Sequence, residues 1–121
     1  MSTNYKHQTY KQGLQAESIA TEYLTARGYV ILQRNLRTRF GEIDILALKD
    51  GEYVGAEVKS RSSHNCLPPE LNITPLKYSK IVRSLLSLPY LDNRPTRIDV
   101  ITVEGNKVRR HFKAVEFPAS G

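Results

Sequence analysis

Asp44, Glu57 and Lys59 are the residues whose types and spacing invite chemistry. Glu57 and Lys59 stand two apart, so in an extended strand they share a face. Asp44 belongs to an earlier alternating run, and Asp50-Gly51 between the runs is a strong hairpin signal, because a type I′ turn needs positive φ at both central residues. With those two residues as the turn, Lys49 faces Glu52; counting back, Asp44 lies opposite Glu57 and Glu42 opposite Lys59. Directly opposed residues have Cβ atoms roughly 4.5–5.5 Å apart, and like charges there are destabilising. Two carboxylates so placed want a cation between them. Mg²⁺ or Mn²⁺ fits, taking carboxylate oxygens together with water and substrate phosphate. The plain alternative is a solvated hairpin face, but the apolar Leu46, Leu48 and Tyr53 on that face argue for burial. Alternation sets Ile43, Ile45 and Ala47 against Glu42, Asp44, Leu46 and Leu48, and Val54, Ala56 and Val58 against Tyr53, Gly55, Glu57 and Lys59.

The same residues carry a resemblance. Asp44 followed by Glu57-Val58-Lys59 resembles the PD-(D/E)xK nuclease core, with Ile43-Asp44 in place of Pro-Asp. The longer strings Gly41-Glu-Ile-Asp-Ile-Leu-Ala47 and Glu57-Val-Lys-Ser-Arg61 are similar to those of the YraN-like family of predicted endonucleases, which is related in fold to Holliday-junction resolvases. Arg34-Asn35 before them and Arg97-Ile98-Asp99 after them extend the likeness, which runs from about Gly13 to Phe112. Gly55-Ala56 departs from it, since a larger apolar pair is usual ahead of the glutamate.

The resemblance implies a restriction endonuclease-like α/β fold and metal-dependent hydrolysis of phosphodiester bonds in DNA, structured or branched DNA included. Asp44 and Glu57 would hold Mg²⁺ or Mn²⁺, with the carbonyl of Val58 as a further ligand, Glu17 as an auxiliary ligand and Glu42 as an auxiliary carboxylate. The metal would polarise the phosphodiester and help generate hydroxide from water. Lys59 would orient the water or stabilise the charge developing on phosphorus oxygens; as a plain alternative it is a counter-ion to Glu42.

The elements that must position these groups follow from periodicity. Ala16, Ile19, Ala20, Tyr23 and Leu24 recur at helical steps over 10–27, and Gly28 suits a helix end. Glu17 falls at the rim of that stripe, and an ordinary surface glutamate is its plain reading. Tyr29–Asn35 reads as a strand, and 35–41 as a turn carrying Arg37 and Arg39. Residues 62–73 read as an irregular loop beside the active face. Thr74-Pro75 begins a second helix with Tyr78, Ile81, Val82, Leu85 and Leu88 as its buried stripe, and Lys77 and Lys80 on another face with Ser84 and Ser87. Residues 96–103 and 108–115 pair around Gly105-Asn106. A strand, helix, strand unit over 53–103 makes its two strands parallel. The expected fold is therefore a central mixed sheet flanked by helices, in the order α-β-β-β-α-β-β. It forms one domain over 10–115 between loose tails at 1–9 and 116–121.

A formal charge of +6 on 121 residues, with a pI near 9.6, favours polyanions. Arg37, Arg39, Arg61, Lys77 and Lys80 are the candidate nucleic-acid contacts, with DNA the expected partner; ion pairs and a solvated helix face are the plain alternatives. The single Cys66 excludes an internal disulfide and a CxxC zinc site, and His7, His64 and His111 lack metal-ligand spacing. No apolar run suits a signal peptide or a membrane span, which points to the cytoplasm. A monomer and a homodimer both stay open. So do two other functions: a non-catalytic nucleic-acid-binding module with a nuclease fold, and a basic surface for an acidic protein.

Overall fold

A five-stranded sheet forms around the expected hairpin in the computed structural model, which describes residues 2–60, 73–89 and 93–116, with side chains from residue 13 on. In chain order the elements are α1 (Ser2–Ala26), β1 (Val30–Thr38), β2 (Gly41–Lys49), β3 (Glu52–Ser60), α2 (Pro75–Leu86), β4 (Thr96–Glu104) and β5 (Lys107–Phe112). The strands lie in sequence order across the sheet, antiparallel except for β3 and β4, which run parallel on either side of α2. This is the α-β-β-β-α-β-β order of a restriction endonuclease-like fold.

The Asp50-Gly51 turn sets the register. Both residues have positive φ (51° and 82°), and the β2–β3 ladder runs from Lys49↔Glu52 to Ile45↔Ala56, in the expected count. Each side of the sheet packs one helix. Ala16, Ala20 and Leu24 of α1 meet Ile45, Ala47, Val54, Ala56 and Ile101 on one side. Ile81 and Leu85 of α2 meet Leu46, Tyr53 and Ile98 on the other. Leu24 and Leu85 are essentially fully buried, each worth about 1.5–3 kcal/mol of transfer free energy. The Thr74 hydroxyl accepts the Lys77 N–H at 3.1 Å, capping α2 as the sequence implies.

Four expectations change. Ile43 packs on the α2 side with Leu46 and Tyr53, not with Ile45 and Ala47. The cause sits in the neighbouring strand, where Asn35 takes the left-handed conformation (φ 53°). Arg34 then bonds Ser18 of α1 at 3.2 Å while Leu36, two residues on, packs on the α2 side. Because Leu36 pairs with Ile43, and Arg34 with Ile45, the break in alternation crosses onto β2 at Asp44.

Second, β1 continues to Thr38, which leaves only Arg39-Phe40 as the turn and puts Arg37 within the strand. The Thr38 hydroxyl accepts the Phe40 N–H at 3.1 Å and lies 2.7 Å from the hydroxyl of a fully buried Ser84, so Ser84 is no part of a solvated face. Third, α1 begins at Ser2 rather than near Tyr10; no proline or glycine in 2–12 interrupts it. Fourth, β5 stops at Phe112, although the Val115 N–H still reaches the Ile98 carbonyl at 2.8 Å. Residues 61–72, with Arg61 and nearly all of the expected loop, and the terminal residues 117–121 lie outside the described residues.

Candidate active site

The β2–β3 ladder ends at Ile45↔Ala56, whereas β3 stays paired with β4 to Ser60 and β2 with β1 to Gly41. The sheet therefore forks. A fork leaves backbone donors without partners, and buried N–H groups must be satisfied. Asp44 fills this gap: its Oδ2 accepts the Val58 N–H at 2.9 Å. The carboxylate is thus held beside Glu57 by a backbone bond that the ladder would otherwise have made.

Glu57 is 4 % exposed, and its pKa is pushed up to about 8, first by burial, then by a hydrogen bond with Asp44 and by that neighbour's charge. Lys77 of α2 reaches down to it, with Nζ 3.3 Å from Glu57 Oε1. Burial lowers the pKa of the half-buried Lys59, Glu57 holds it up and Lys77 lowers it further. Two carboxylates and two lysines therefore share the fork. One wall continues as a cleft of about 350 Å³ bordered by Glu42, Asp44, Lys77 and Lys80.

Glu17 stands at the rim, as the sequence implies. Its side chain is 13 % exposed, and burial and then the Asp44 charge raise its pKa. Arg34 is its nearest cation at 3.8 Å, and its Oε1 has no hydrogen-bond partner among the described residues. Glu42 also acts on Glu17 and sits across the β1–β2 ladder from Arg37. Lys59 forms no ion pair with Glu42, because the strands part before reaching that pair. Lys77, a candidate nucleic-acid contact with a solvated helix face as its alternative, pairs with Glu57; the first turn of α2 lies over the fork. Lys80 lines the cleft, and Arg39 is exposed in the turn and does not border the cleft.

The residues present suit a hard divalent ion. Mg²⁺ is commonly held by one or two carboxylates, with water and substrate phosphate completing the shell. Asp44 and Glu57 supply that pair, and the proton that Glu57 retains to about pH 8 stands in for positive charge. The unpartnered Glu17 Oε1 is a further acceptor without a donor. Among the described residues, no group of three or more His, Cys, Asp or Glu side chains converges as a ligand set.

A second polar centre escaped the sequence reading. Asp99, fully buried on β4, accepts from His111 Nε2 at 2.8 Å, Arg97 Nε and the Ala114 N–H at 3.0 Å, and the Tyr29 hydroxyl at 3.3 Å. Although burial opposes it, these donors, His111 first, hold its carboxyl below the usual range. Tyr23 binds the other ring nitrogen of His111 at 3.1 Å. The Arg97-Ile98-Asp99 spacing was the only signal, since His111 arrives from another strand.

The profile of a family described as uncharacterised protein family UPF0102 matches residues 16–103, from the residue before Glu17 through most of β4. The chain belongs to this family. It is the YraN family that the motifs resemble. A UPF0102 protein of Aquifex aeolicus is 43 % identical over 102 residues, covering 84 % of this chain and 93 % of the relative. One from Thermus thermophilus is 40 % identical over 94 residues (78 % and 84 %), and one from Thermodesulfovibrio yellowstonii 41 % over 101 (79 % and 88 %). The UPF0102 match contains the whole fork and stops before His111, so it takes in Asp99 but not the imidazole that binds it.

Proposed function

We propose that the chain is a metal-dependent endonuclease that hydrolyses phosphodiester bonds in DNA, acting in the cytoplasm. One observation carries the reading: Asp44 and Glu57 lie side by side in a fork of the sheet with Lys59 and Lys77 against them. Asp44 and Glu57 would hold Mg²⁺ or Mn²⁺, with the Val58 carbonyl and Glu17 as further oxygens. When bound, the ion supplies a Lewis acid for the phosphodiester and acidifies a water. Asp44 keeps its orientation through the Val58 N–H, so its outward oxygen costs little to organise. Burial holds the Lys59 proton loosely, which suits a group that steadies charge on the reacting phosphate or hands a proton to water. Lys77 shields Glu57 and must yield as the cation arrives. Lys80, on the cleft wall, then meets the flanking phosphates, with Arg37 beside Glu42.

Lys77 also favours the second reading, a binding module without catalysis, since its ammonium already offsets Glu57 at 3.3 Å without any metal. An assay on linear, flapped and four-way DNA with Mg²⁺ or Mn²⁺ separates the two. The nuclease reading expects cleavage by wild type and a loss of about 10²–10³ in rate for Lys59→Ala, with metal and DNA binding nearly kept, because a charge acting on the transition state is lost. If wild type cuts nothing, the binding module takes its place. If Lys59→Ala cuts as fast as wild type, the role given to Lys59 is wrong.

A further inference from the structure

The β1–β2 turn touches α2 at Gly41, where an added Cβ would come within 3.2 Å of the Lys80 Cβ. The carboxylate cleft includes Gly41 and Lys80 in its wall. One residue back along the turn, and one helical turn further along α2, lies a second, shallower groove of about 410 Å³ formed by Arg39, Phe40, Arg83, Leu86 and Ser87. It contains two arginines and no acid, and neither arginine makes an ion pair among the described residues. The Arg39 guanidinium carbon lies over the Phe40 ring, 4.7 Å from its centre, so a planar cation sits against an aromatic face. Leu86 adds apolar surface and is 63 % exposed.

Lys77, Lys80 and Arg83 follow one another at three-residue steps on α2, about 4.5 Å of rise apiece. They form a line of cations from Glu57 to this groove. A phosphate backbone leaving the cleft along that line reaches Arg39 and Arg83. A groove meant only for phosphates needs neither the Phe40 ring nor Leu86. Bases within a duplex already have both faces covered by their neighbours, whereas an unpaired base offers a free face to aromatic rings and guanidinium planes.

We propose that this groove takes an unpaired nucleotide of the strand that enters the carboxylate cleft, its base stacked on the Arg39–Phe40 pair and its phosphates held by Arg39 and Arg83. The inference rests on the nuclease reading and narrows its substrate to nucleic acid with a single-stranded segment next to the site of cutting.

Fluorescence anisotropy of the full chain in EDTA tests it, with labelled oligothymidylate, a blunt duplex and a duplex bearing a single-stranded overhang as probes. Arg39→Lys keeps the charge and removes the plane. It should weaken the overhang duplex and the oligothymidylate by roughly 5- to 150-fold more than the blunt duplex, the worth of one stacked base. Its salt slope should stay that of wild type, since the cation is kept. Leu86→Asp, on a side chain too exposed to be needed for folding, should weaken the two single-stranded probes most strongly. Equal losses on all three probes would make the groove a phosphate contact only and overturn the proposal. So would an Arg39→Lys protein that binds all three like wild type. A wild type that binds the probes in EDTA and cuts DNA with Mg²⁺ or Mn²⁺, while both variants bind normally, removes the groove assignment alone; a wild type that binds none of the probes and cuts nothing when the metal is supplied removes the nuclease reading with it.

Discussion

Asp44 serves the fold and the candidate site through different atoms. Its Oδ2 satisfies the Val58 N–H, and its charge raises the pKa of Glu57. Asp44→Asn keeps an acceptor and removes the charge. Its metal-free melting temperature should match or slightly exceed that of wild type, while the rise that Mn²⁺ gives wild type by mass action disappears. Asp44→Ala orphans a backbone donor at the fork and should lose about 1–3 kcal/mol as well as the Mn²⁺ response. Thermal melts with EDTA and with Mn²⁺ read both, and equal Mn²⁺ shifts in all three proteins would move the metal elsewhere. Glu57 makes a matching prediction in pH. Its folded pKa of about 8 lies above the ordinary 4.5, so the folded state binds the extra proton. The stability this contributes is fully present below about pH 4.5 and is lost as pH rises through 8. In EDTA, Glu57→Gln should therefore be close to wild type at the acid end of that window and more stable at its alkaline end. Its lost pair with the half-exposed Lys77 subtracts little. A stability difference that does not change with pH would refute the raised pKa.

Between elements, α2 fits tightly on β3. Gly55 is buried, and a Cβ there would sit 3.2 Å from Leu85 Cδ1 and 3.4 Å from Ile81 Cγ2. The small residue at the point where the family resemblance breaks therefore lets α2 settle on the sheet, and this close seat brings Lys77 within reach of Glu57. Gly55→Val should overpack the contact and destabilise by about 1–3 kcal/mol. The denaturant midpoint should fall with an unchanged slope, and a midpoint equal to wild type would show that α2 can shift without loss. The β1–β2 pair behaves differently. Its left-handed Asn35 exchanges which helix the side chains face, and so delivers Arg34 to Glu17 and Leu36 to the α2-side core from one strand.

For the molecule as a whole, the charge of +6 exceeds what the fork uses: Lys59 and Lys77 lie among its carboxylates, and further basic groups lie around it. Arg37, Arg39, Lys80 and Arg83 are all exposed. Duplex affinity should fall with salt at about −0.9 in log–log slope per phosphate contact, and Lys80→Ala should flatten that slope by roughly one contact. Affinity independent of salt would take nucleic acid out of the account. No helix among the described residues is long and apolar enough to cross a membrane.

Local signals carried most of the architecture. A turn that needs positive φ at Asp50-Gly51 sets one register, and that register aims Asp44 toward Glu57. Thr74-Pro75 and the stripe through Ile81 and Leu85 likewise determine where α2 starts and which face it buries. Such features depend on residues a few positions apart, and a linear reading recovers them. Tertiary structure decided the rest. The fork that ends the ladder before Glu42 meets Lys59, the exchange of faces at Asn35 and Asp44, the descent of Lys77 onto Glu57 and the clasp of His111 on Asp99 all depend on groups from separate elements. Their positions come from packing two helices against a twisted sheet, and no spacing within one segment encodes that geometry.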